Sequence, residues 1–402
     1  MDDAIAVPEV LAQPVLAGAA RPRVYVVAGM HRAGTSVVAR ALQALGIALG
    51  DRLMSADVRM NARGFFEDVD VVAIDDALLA DENADWKSVA LLEDVDWCNP
   101  GRAPLRDRAE ALLRARIART GEFGFKDPRV PRLLPFWQGV IRDIDAIDAY
   151  VVALRHPLSV IESLTTRDHL DVRRSGWLWL THVLSSLQYT SGRRRVIVDY
   201  DRLLAEPERE LARMADRLGR GAPSDQAVEA YVSGFLSHEL RHARHDPADV
   251  PAAAIPPLAI DAYALAQRLA QDELDADATA VQSQIEDLFD ELCRFSPLLA
   301  YAGSAERGAD EVPRLAGELE WARKSLDRST EYVESLKGAL AQSKSLNESK
   351  DAELAKSTAY SNDLCATLER KERELREAHN KLARLGKTVL GRMALREAEK
   401  RR

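Results

Sequence analysis

The segment VYVVAGMHRAGTS, from Val24 to Ser36, constrains the fold of this 402-residue chain more than any other. Its five apolar or aromatic residues predict a buried strand, which a loop containing Gly29 and Gly34 and then the helical pattern VVARAL follow. A strand, a glycine-containing loop and a helix in this order direct backbone N–H groups and a helix N-terminus at an anion. The segment therefore predicts an α/β fold with a phosphate site after its first strand.

This loop departs at one position from the nucleoside-triphosphate motif G-x-x-x-x-G-K-[ST]. Both glycines and the closing hydroxyl residue fit, but Thr35 stands where the motif has lysine. That lysine normally reaches the β- and γ-phosphates, so its absence argues against an ordinary NTPase. Arg32, three residues after the first glycine, supplies a positive charge instead.

Net charge, cysteine spacing and the length of apolar stretches exclude several classes of protein. A net charge of −9 argues against a nucleic-acid-binding surface. The three cysteines, Cys98, Cys293 and Cys365, have neither a disulfide nor a zinc spacing, which is typical of a reducing compartment. The first residues lack the basic segment of a secretory signal, and no window reaches about 18 uninterrupted apolar residues. We therefore expect a cytoplasmic protein without a transmembrane span.

Strand and helix patterns alternate through the first part of the chain. Short apolar runs predict strands at 123–126, 149–154 and 195–198, and helical patterns occupy 70–80, 104–119, 157–166, 175–191 and 207–218. This alternation predicts a P-loop-type parallel sheet flanked by helices, with ligands at the carboxyl ends of the strands. Gly29, Lys126 and Arg155 all stand at such ends, so we expect them to converge.

The last part of the chain has a different pattern. From Leu319 to Val389, positions seven residues apart keep one heptad phase, although Asn347 and other polar residues interrupt it. The pattern predicts a long helix and a coiled coil, frayed around 343–361, through which the chain forms a homo-oligomer or binds a partner protein. The alternative is a solitary charged helix. The basic end, 400–402, either touches acidic lipid or a partner or is a solvated tail.

A second informative segment is YVVALRHPLSVIESL, residues 150–164. The strand ends at Arg155, Pro157 suits the first turn of a helix, and Ser163 lies two turns along it. An arginine with a helix-borne hydroxyl can hold a second phosphate, although an arginine at a strand end also pairs with acidic neighbours.

Four segments, in this order, resemble the sulfotransferases that use 3′-phosphoadenosine 5′-phosphosulfate (PAPS), in particular the bacterial and Golgi-type carbohydrate or tyrosylprotein branches. GMHRAGTS resembles the 5′-phosphosulfate loop, and GFKDPR resembles the lysine-aspartate-proline segment that faces the transferring sulfuryl group. LRHPLSVIESL resembles the 3′-phosphate element, and VDYDRLL resembles the segment whose tyrosine contacts adenine. The four segments begin at residues 29, 124, 154 and 198, and the resemblance covers roughly residues 22–245.

The resemblance implies an enzyme that transfers a sulfuryl group from PAPS to an acceptor hydroxyl without a metal, leaving adenosine 3′,5′-bisphosphate. PAPS has no β- or γ-phosphate, which explains Thr35. The implied donor-binding residues are Arg32, Ala33, Gly34, Thr35, Ser36, Arg155, Ser163 and Tyr200. Arg32 and Lys126 are the implied stabilisers of the departing charge, and the alternative for Lys126 is a surface lysine. With the Ala- and Pro-rich start of the chain and the heptad pattern, we expect a flexible leader (1–21), a catalytic core (22–245), its helical completion (246–310) and a coiled-coil extension (311–402).

Several residues are candidates for the base that takes the proton of the acceptor hydroxyl. Related enzymes use a glutamate in the region after the first helix, which points to Glu67; a helix-capping role for Glu67 or Asp68 is the alternative. Asp127 and His169 are reserve candidates, with a turn and an exposed surface as their alternatives. The resemblance also implies that the acceptor is a sugar hydroxyl of a polysaccharide or glycolipid; a tyrosine or a small molecule is the alternative acceptor.

Two other features have both a functional and a structural interpretation. The basic cluster at 235–245 either contributes an arginine to the donor or the acceptor or ends a solvated helix, and Trp177 and Trp179 either pack a helix or stack on a sugar. Two rival functions also remain at this point. One is an atypical P-loop kinase, and the other is a non-catalytic coiled-coil assembly protein on a sulfotransferase-like core.

Overall fold

The computed structural model describes residues 21–54, 65–236, 255–346 and 351–385, and within them four parallel strands form one sheet. The strands are β1 (Arg23–Ala28), β2 (Glu122–Lys126), β3 (Ile147–Leu154) and β4 (Arg195–Asp199), in the spatial order β2-β1-β3-β4. Helices cover both faces of this sheet. The predicted fold class, a parallel sheet flanked by helices and followed by long C-terminal helices, is confirmed.

The helices of the described ranges are α1 (Thr35–Ala44), α2 (Val69–Asp81), α3 (Ala103–Ile117), α4 (Val130–Asp143), α5 (Pro157–Asp168), α6 (Val172–Tyr189), α7 (Tyr200–Ala205), α8 (Pro207–Arg217), α9 (Asp225–Val232), α10 (Pro257–Ala270), α11 (Thr279–Cys293), α12 (Ser296–Leu346) and α13 (Asp351–Leu385).

Strand β1 has an apolar core on each side because it is covered on both faces. Val24 and Val26 pack with residues of α2, α3 and α4, whereas Tyr25 and Val27 pack with residues of α1 and α8. Successive side chains of a strand point to opposite faces, so an uninterrupted apolar run is what a doubly covered strand requires.

Helix α4 was not among the predicted helices, because Pro131 and Pro135 interrupt its sequence. Pro131 lies in the first turn, where its missing N–H costs nothing, but Pro135 lies inside the helix and removes one hydrogen bond. The helix forms nevertheless because its apolar face, including Leu134, Phe136 and Trp137, is completely buried. Tertiary burial outweighs the local penalty here.

The strand order creates a crevice at the carboxyl edge of the sheet. After β1 the chain passes to β2 on one side, and β3 then returns to the other side of β1. Loops leaving the sheet at such a reversal diverge, and ligands of open α/β sheets bind in the gap. Gly29, Lys126 and Arg155 lie at the ends of β1, β2 and β3, as predicted from the sequence.

The chain divides into two compact units, residues 1–297 and 298–402. In the second unit, α12 and α13 run antiparallel: Trp321 contacts Lys371, and Tyr332 contacts Tyr360. From the first contact to the second, the position moves 11 residues forward along α12 and 11 residues backward along α13. Instead of one long helix with a frayed middle, the structure thus has two helices that pair with each other, and Asn347 falls outside the described residues.

The heptad positions of α12 and α13 form the face that the two helices share. Every described member of the series is buried or half-buried, whereas most other side chains of this unit are exposed. Within the chain, this heptad face pairs α12 with α13. A homo-oligomer or a partner protein bound through this region stays a prediction. None of the described helices has a stretch long and apolar enough to cross a membrane.

Candidate functional site

The loop after β1 makes the tight turn that the sequence predicts. Gly34 has a φ of 84°, and α1 begins at the next residue. Gly29 lies so close to β3 that an added Cβ would stand 2.9 Å from Cβ of Ala153. Arg32 also has a positive φ, 68°, which is uncommon for a residue with a side chain. The two glycines therefore serve different purposes: close packing at one end of the loop and left-handed backbone at the other.

Arg32, Arg155 and Ser163 come together although they are far apart in sequence. Nε of Arg32 donates a hydrogen bond to Oγ of Ser163 at 2.7 Å, and Nη1 of Arg155 donates to the Arg32 carbonyl at 2.9 Å. Behind them, the buried Trp179 donates from Nε1 to the Arg155 carbonyl at 3.1 Å. The last contact gives Trp179 a structural role, whereas Trp177 packs against Phe295.

Tyr200 closes this part of the site. The Arg155 guanidinium lies 4.6 Å from the centre of the Tyr200 ring, within the range of a cation–π contact. The ring also packs on Gly34, where an added Cβ would come within 2.2 Å of Tyr200. Tyr200, which follows β4 directly, therefore packs against the loop after β1.

Positive charge accumulates here without matching carboxylates. Burial and the neighbouring guanidinium groups of Arg167 and Arg155 lower the pKa of Arg32. Asp168 acts on the pKa of Arg32 in the opposite direction, but its carboxylate already pairs with Arg167 at 2.7 Å. Nε of Arg155 is buried and makes no hydrogen bond within the described residues. A site of this kind is suited to an anion with several oxygen atoms.

Sequence reasoning missed Arg167. The residue lies four positions after Ser163 on α5, so one turn of helix brings the two side chains to the same face. The helical spacing would have indicated it, had it been extended beyond the matched motif.

Lys126 and Glu67 form a buried ion pair on the β2 side of the crevice. Nζ of Lys126 lies 2.5 Å from Oε1 of Glu67, and the side chains are 2% and 7% exposed. Lys126 is thus not a surface lysine. Burial raises the pKa of Glu67, while the positive charge of Lys126 acts in the opposite direction. The pair brings a cation and a proton-accepting group to the end of β2.

Backbone contacts hold Glu67 in place. Its carbonyl accepts from the Met54 N–H at 2.8 Å, and the Phe65 carbonyl accepts from Oγ of Ser36 at 3.2 Å. The neighbouring Asp68 caps α2, since its side chain accepts from the Asp70 N–H. The structure therefore divides the two roles that the sequence left open: Asp68 caps the helix, and Glu67 faces Lys126.

The reserve candidates for the base have structural partners. Asp127 is fully buried and accepts hydrogen bonds from the backbone and side chain of Arg129, an arrangement that shapes the turn after β2. His169 is exposed and ends α5 in a left-handed conformation. Of the basic cluster, the structure describes only Phe235 and Leu236. In the described part of the chain, no group of three or more His, Cys, Asp or Glu side chains is placed to hold a metal ion.

The backbone N–H groups of the loop after β1 and of the start of α1 differ in their surroundings. The N–H of Ala33 donates to the Met30 carbonyl at 3.1 Å and so is engaged inside the loop. Thr35 and Ser36 are the first two residues of α1, so their N–H groups lie at the positive end of the helix dipole. An anion at this loop would therefore face the helix start, and the donor contact of Ala33 stays a prediction.

Comparisons with known proteins found a likeness only among solved structures. No family model and no curated protein matches the sequence. Among solved structures, the chain is similar to a sulfotransferase domain from the Synechococcus PCC 7002 olefin synthase, with 19% sequence identity and a TM-score of 0.34. The alignment covers 66% of this chain and 99% of that domain.

Proposed function

We propose that this protein is a sulfotransferase that moves a sulfuryl group from PAPS to a hydroxyl group. The observation that carries the proposal is the division of the crevice into two parts. On the β3 and β4 side, Arg32, Arg155, Ser163 and Tyr200 form a cationic, aromatic-lined site. On the β2 side, the buried Lys126–Glu67 pair provides a cation and a carboxylate.

The first part of the site fits a nucleotide with two separate phosphate groups. The start of α1 is one anion position, because a helix N-terminus and its dipole attract an anion, and α1 begins at Thr35. Arg155 and Ser163 form the second position, and the buried Nε of Arg155 has a hydrogen bond still to donate. Tyr200, which contacts both the loop after β1 and Arg155, is the residue to which the resemblance gives the contact with adenine. Thr35 in the motif's lysine position is consistent with a ligand that has no β- or γ-phosphate.

PAPS, when bound, supplies an activated sulfuryl group. Arg32 and Lys126 would stabilise the negative charge that develops as the sulfur–oxygen bond to the 5′-phosphate breaks. Glu67 would take the acceptor proton, and its raised pKa suits a group that must hold that proton briefly. Positioning by the backbone contacts of Glu67 keeps the carboxylate beside Lys126 before the acceptor arrives.

Binding of adenosine 3′,5′-bisphosphate tests the nucleotide assignment. We expect calorimetry to detect the bisphosphate binding to the full chain without added metal, and ATP with Mg²⁺ binding far more weakly. Stronger binding of ATP with Mg²⁺ would favour a P-loop kinase, and absence of bisphosphate binding would contradict the proposal.

Transfer of radiolabelled sulfate from PAPS into a glycan extract tests the reaction. The extract serves because we propose a sugar hydroxyl of a polysaccharide or glycolipid as the acceptor. We expect Lys126→Ala to lower incorporation by about 10²-fold or more, the usual cost of losing one charge-stabilising group. Arg193→Ala, which removes a surface arginine before β4, is the control and should transfer normally. Equal incorporation by the Lys126→Ala variant would remove Lys126 from the mechanism.

A further inference from the structure

Three exposed aromatic side chains lie on one side of the helical hairpin that α12 and α13 form. Trp321, Tyr332 and Tyr360 are 61%, 46% and 49% exposed. The rings of Tyr332 and Tyr360 meet across the two helices, with their centres 6.1 Å apart. Trp321 stands about three helical turns before Tyr332, on the same side of α12. The exposed aromatic area is thus concentrated in one place, which is typical of an interaction surface.

The two sides of the heptad face that α12 and α13 share carry different residues. On one side, the residues directly before the heptad positions are uncharged over two turns of each helix: Ser325, Tyr332, Tyr360 and Thr367. Together with Trp321 they form the aromatic flank, which ends at Glu318 and Glu374. The other side includes charged residues beside the heptad face, namely Arg323, Lys337 and Glu372.

This asymmetry indicates a bundle of more than two helices. Two apolar rows are sufficient for a pair of helices, and the positions on both sides of them then usually carry charges. A third uncharged row on one side is the pattern of a helix that packs against further helices. In α12 and α13 the third row is the aromatic flank, so the uncharged surface continues outward from the face that the two helices share.

Charges of both signs border the aromatic flank on its outer side. Four exposed residues stand there, two positions after heptad positions: Arg328, Asp363, Arg370 and Glu377. Lys371 is already engaged, since its Nζ lies 4.8 Å from the ring centre of Trp321 and 2.8 Å from the Glu374 carboxylate. A border with equal numbers of both signs can pair with a second copy of itself, whereas a strongly acidic or basic partner would meet like charges.

This side of the hairpin is large enough for a stable contact with a second hairpin. Residues 315–337 of α12 rise ~35 Å, and two helices side by side are about 20 Å wide. Two copies packed along this side would bury about 1,400 Å² in total, within the roughly 1,200–2,000 Å² of stable protein interfaces. A second hairpin would also enlarge the small apolar core of the first.

We propose that the aromatic flank binds the aromatic flank of a second copy of this chain, so that two hairpins form a four-helix bundle. The two copies are related by a twofold axis, and each contributes the same surface. The aromatic rings become part of the bundle core, next to the heptad rows. The inference concerns the second compact unit and does not depend on the proposed sulfuryl transfer.

Sedimentation equilibrium of the full chain, from nanomolar to high micromolar concentration, tests the dimer. We expect a monomer–dimer equilibrium for wild type. Tyr332→Lys should raise the dissociation constant by about 100-fold or more, because each lost ring contact costs about tenfold and the substitution enters a twofold interface twice. Tyr332→Phe keeps a ring and should dimerise like wild type. Thr330→Lys puts the same charge on the other side of α12, at an exposed position, and should also dimerise like wild type.

Circular dichroism at 222 nm separates loss of the dimer from loss of the helices. We expect the Tyr332→Lys variant to keep its helical signal, because about half of this side chain is exposed in a single chain. If its helices are lost, Trp321→Gln, at the most exposed of the three rings, replaces it and should weaken the dimer by about tenfold or more.

Three results would each overturn the proposal. A monomeric wild type would mean that the aromatic flank has a different partner or none. An assembly of three or more chains would exclude the twofold bundle. Equal dissociation constants for wild type and a helical Tyr332→Lys or Trp321→Gln variant would mean that the dimer forms through another surface.

Discussion

At the scale of single residues, the site combines charged groups that are expensive to bury. Arg155 is 7% exposed, yet no ion pair with a carboxylate involves it in the described part of the chain. Its contacts are the Arg32 carbonyl and the Tyr200 ring. A guanidinium in this setting gains most from an anionic ligand, since a buried cation is stabilised strongly only by a partner that is itself charged.

The affinity for adenosine 3′,5′-bisphosphate should therefore depend on Arg155. We expect Arg155→Ala to weaken binding by about 1.5–3 kcal/mol, the usual scale for a hydrogen bond to a charged group. Arg193 precedes β4, at the amino ends of the strands and away from the site. Arg193→Ala should therefore leave the affinity for the bisphosphate unchanged. Calorimetry measures both, with thermal unfolding as the check on folding. Unchanged affinity of the Arg155→Ala variant would refute the assignment.

Asp75 of α2 is a second buried ionisable group, and the negative charge of Asp127 in the turn after β2 acts on it. One carboxyl oxygen accepts from Nε1 of Trp137 at 2.8 Å, and the other has no hydrogen-bond partner among the described residues. Burial, and then the negative charge of Asp127, raise the pKa of Asp75 well above its ordinary value. The folded protein therefore keeps a proton on Asp75 that the unfolded chain releases.

This proton makes stability depend on pH. Between the ordinary pKa of an aspartate, about 3.9, and the raised pKa of Asp75, unfolding releases a proton, so the free energy of unfolding should fall as pH rises. Asp75→Asn has nearly the same shape and cannot ionise, so its stability should fall less steeply over this range. Urea denaturation at several pH values compares the two. Parallel profiles would mean that Asp75 is ionised in the folded protein.

At the scale of elements, the loop after β1 joins three parts of the sheet. It packs against Ala153 of β3 at one glycine and against Tyr200, after β4, at the other. Its arginine reaches α5 through Ser163. The geometry of a single loop thus sets the positions of residues from β1, β3 and β4.

Gly34 is the position where this packing is tightest. Gly34→Ala would place a Cβ 2.2 Å from the Tyr200 ring and strain a backbone φ of 84°. We expect loss of bisphosphate binding by about tenfold or more, because Tyr200 and the start of α1 must both move.

Gly192→Ala separates backbone strain from this clash. Gly192 has a φ of 67° with nothing within 4 Å of an added Cβ, so it carries the strain alone. That variant should lose about 1–2 kcal/mol of stability and bind the bisphosphate normally. Normal binding by the Gly34→Ala variant as well would contradict the role of this packing.

At the scale of the whole molecule, the two compact units differ in how they are stabilised. The first buries an apolar core on each side of its sheet, whereas α12 and α13 of the second share one narrow apolar face. A two-helix hairpin buries little apolar area in total. Each residue of its shared face therefore contributes a larger fraction of the stability than a residue of the larger core does.

Val333 tests the pairing of α12 and α13. It is 4% exposed, and Val333→Asp would put a charge in the shared face. We expect this variant to lower the free energy of unfolding of the helical hairpin by about 2–4 kcal/mol. Ser335→Asp introduces the same residue at an exposed position and should be nearly neutral. Urea denaturation followed by circular dichroism at 222 nm compares them, and equal effects would show that Val333 is not part of a packed face.

Several features of this protein follow from its sequence alone. The β1 strand, the glycine loop and α1 were predictable because apolar runs, left-handed turns and helical periodicity act over only a few residues. Parallel strands align their carboxyl ends, so the convergence of Gly29, Lys126 and Arg155 was predictable too. Pattern reasoning also recovered the heptad positions of α12 and α13, although not the break between the two helices.

Only the tertiary structure decided which side chains meet. Glu67 and Lys126 are 59 residues apart, and Arg32 and Ser163 are 131 apart, so no local pattern relates them. The carbonyls of Lys87 and Ser88 accept hydrogen bonds from Arg174 and Arg132, which belong to two other helices. The heptad phase is equally compatible with two chains or with one chain folded back, and only the structure shows that α12 and α13 of one chain contact each other in antiparallel orientation. Such pairings are set by packing across the whole fold, where burial outweighs local preference.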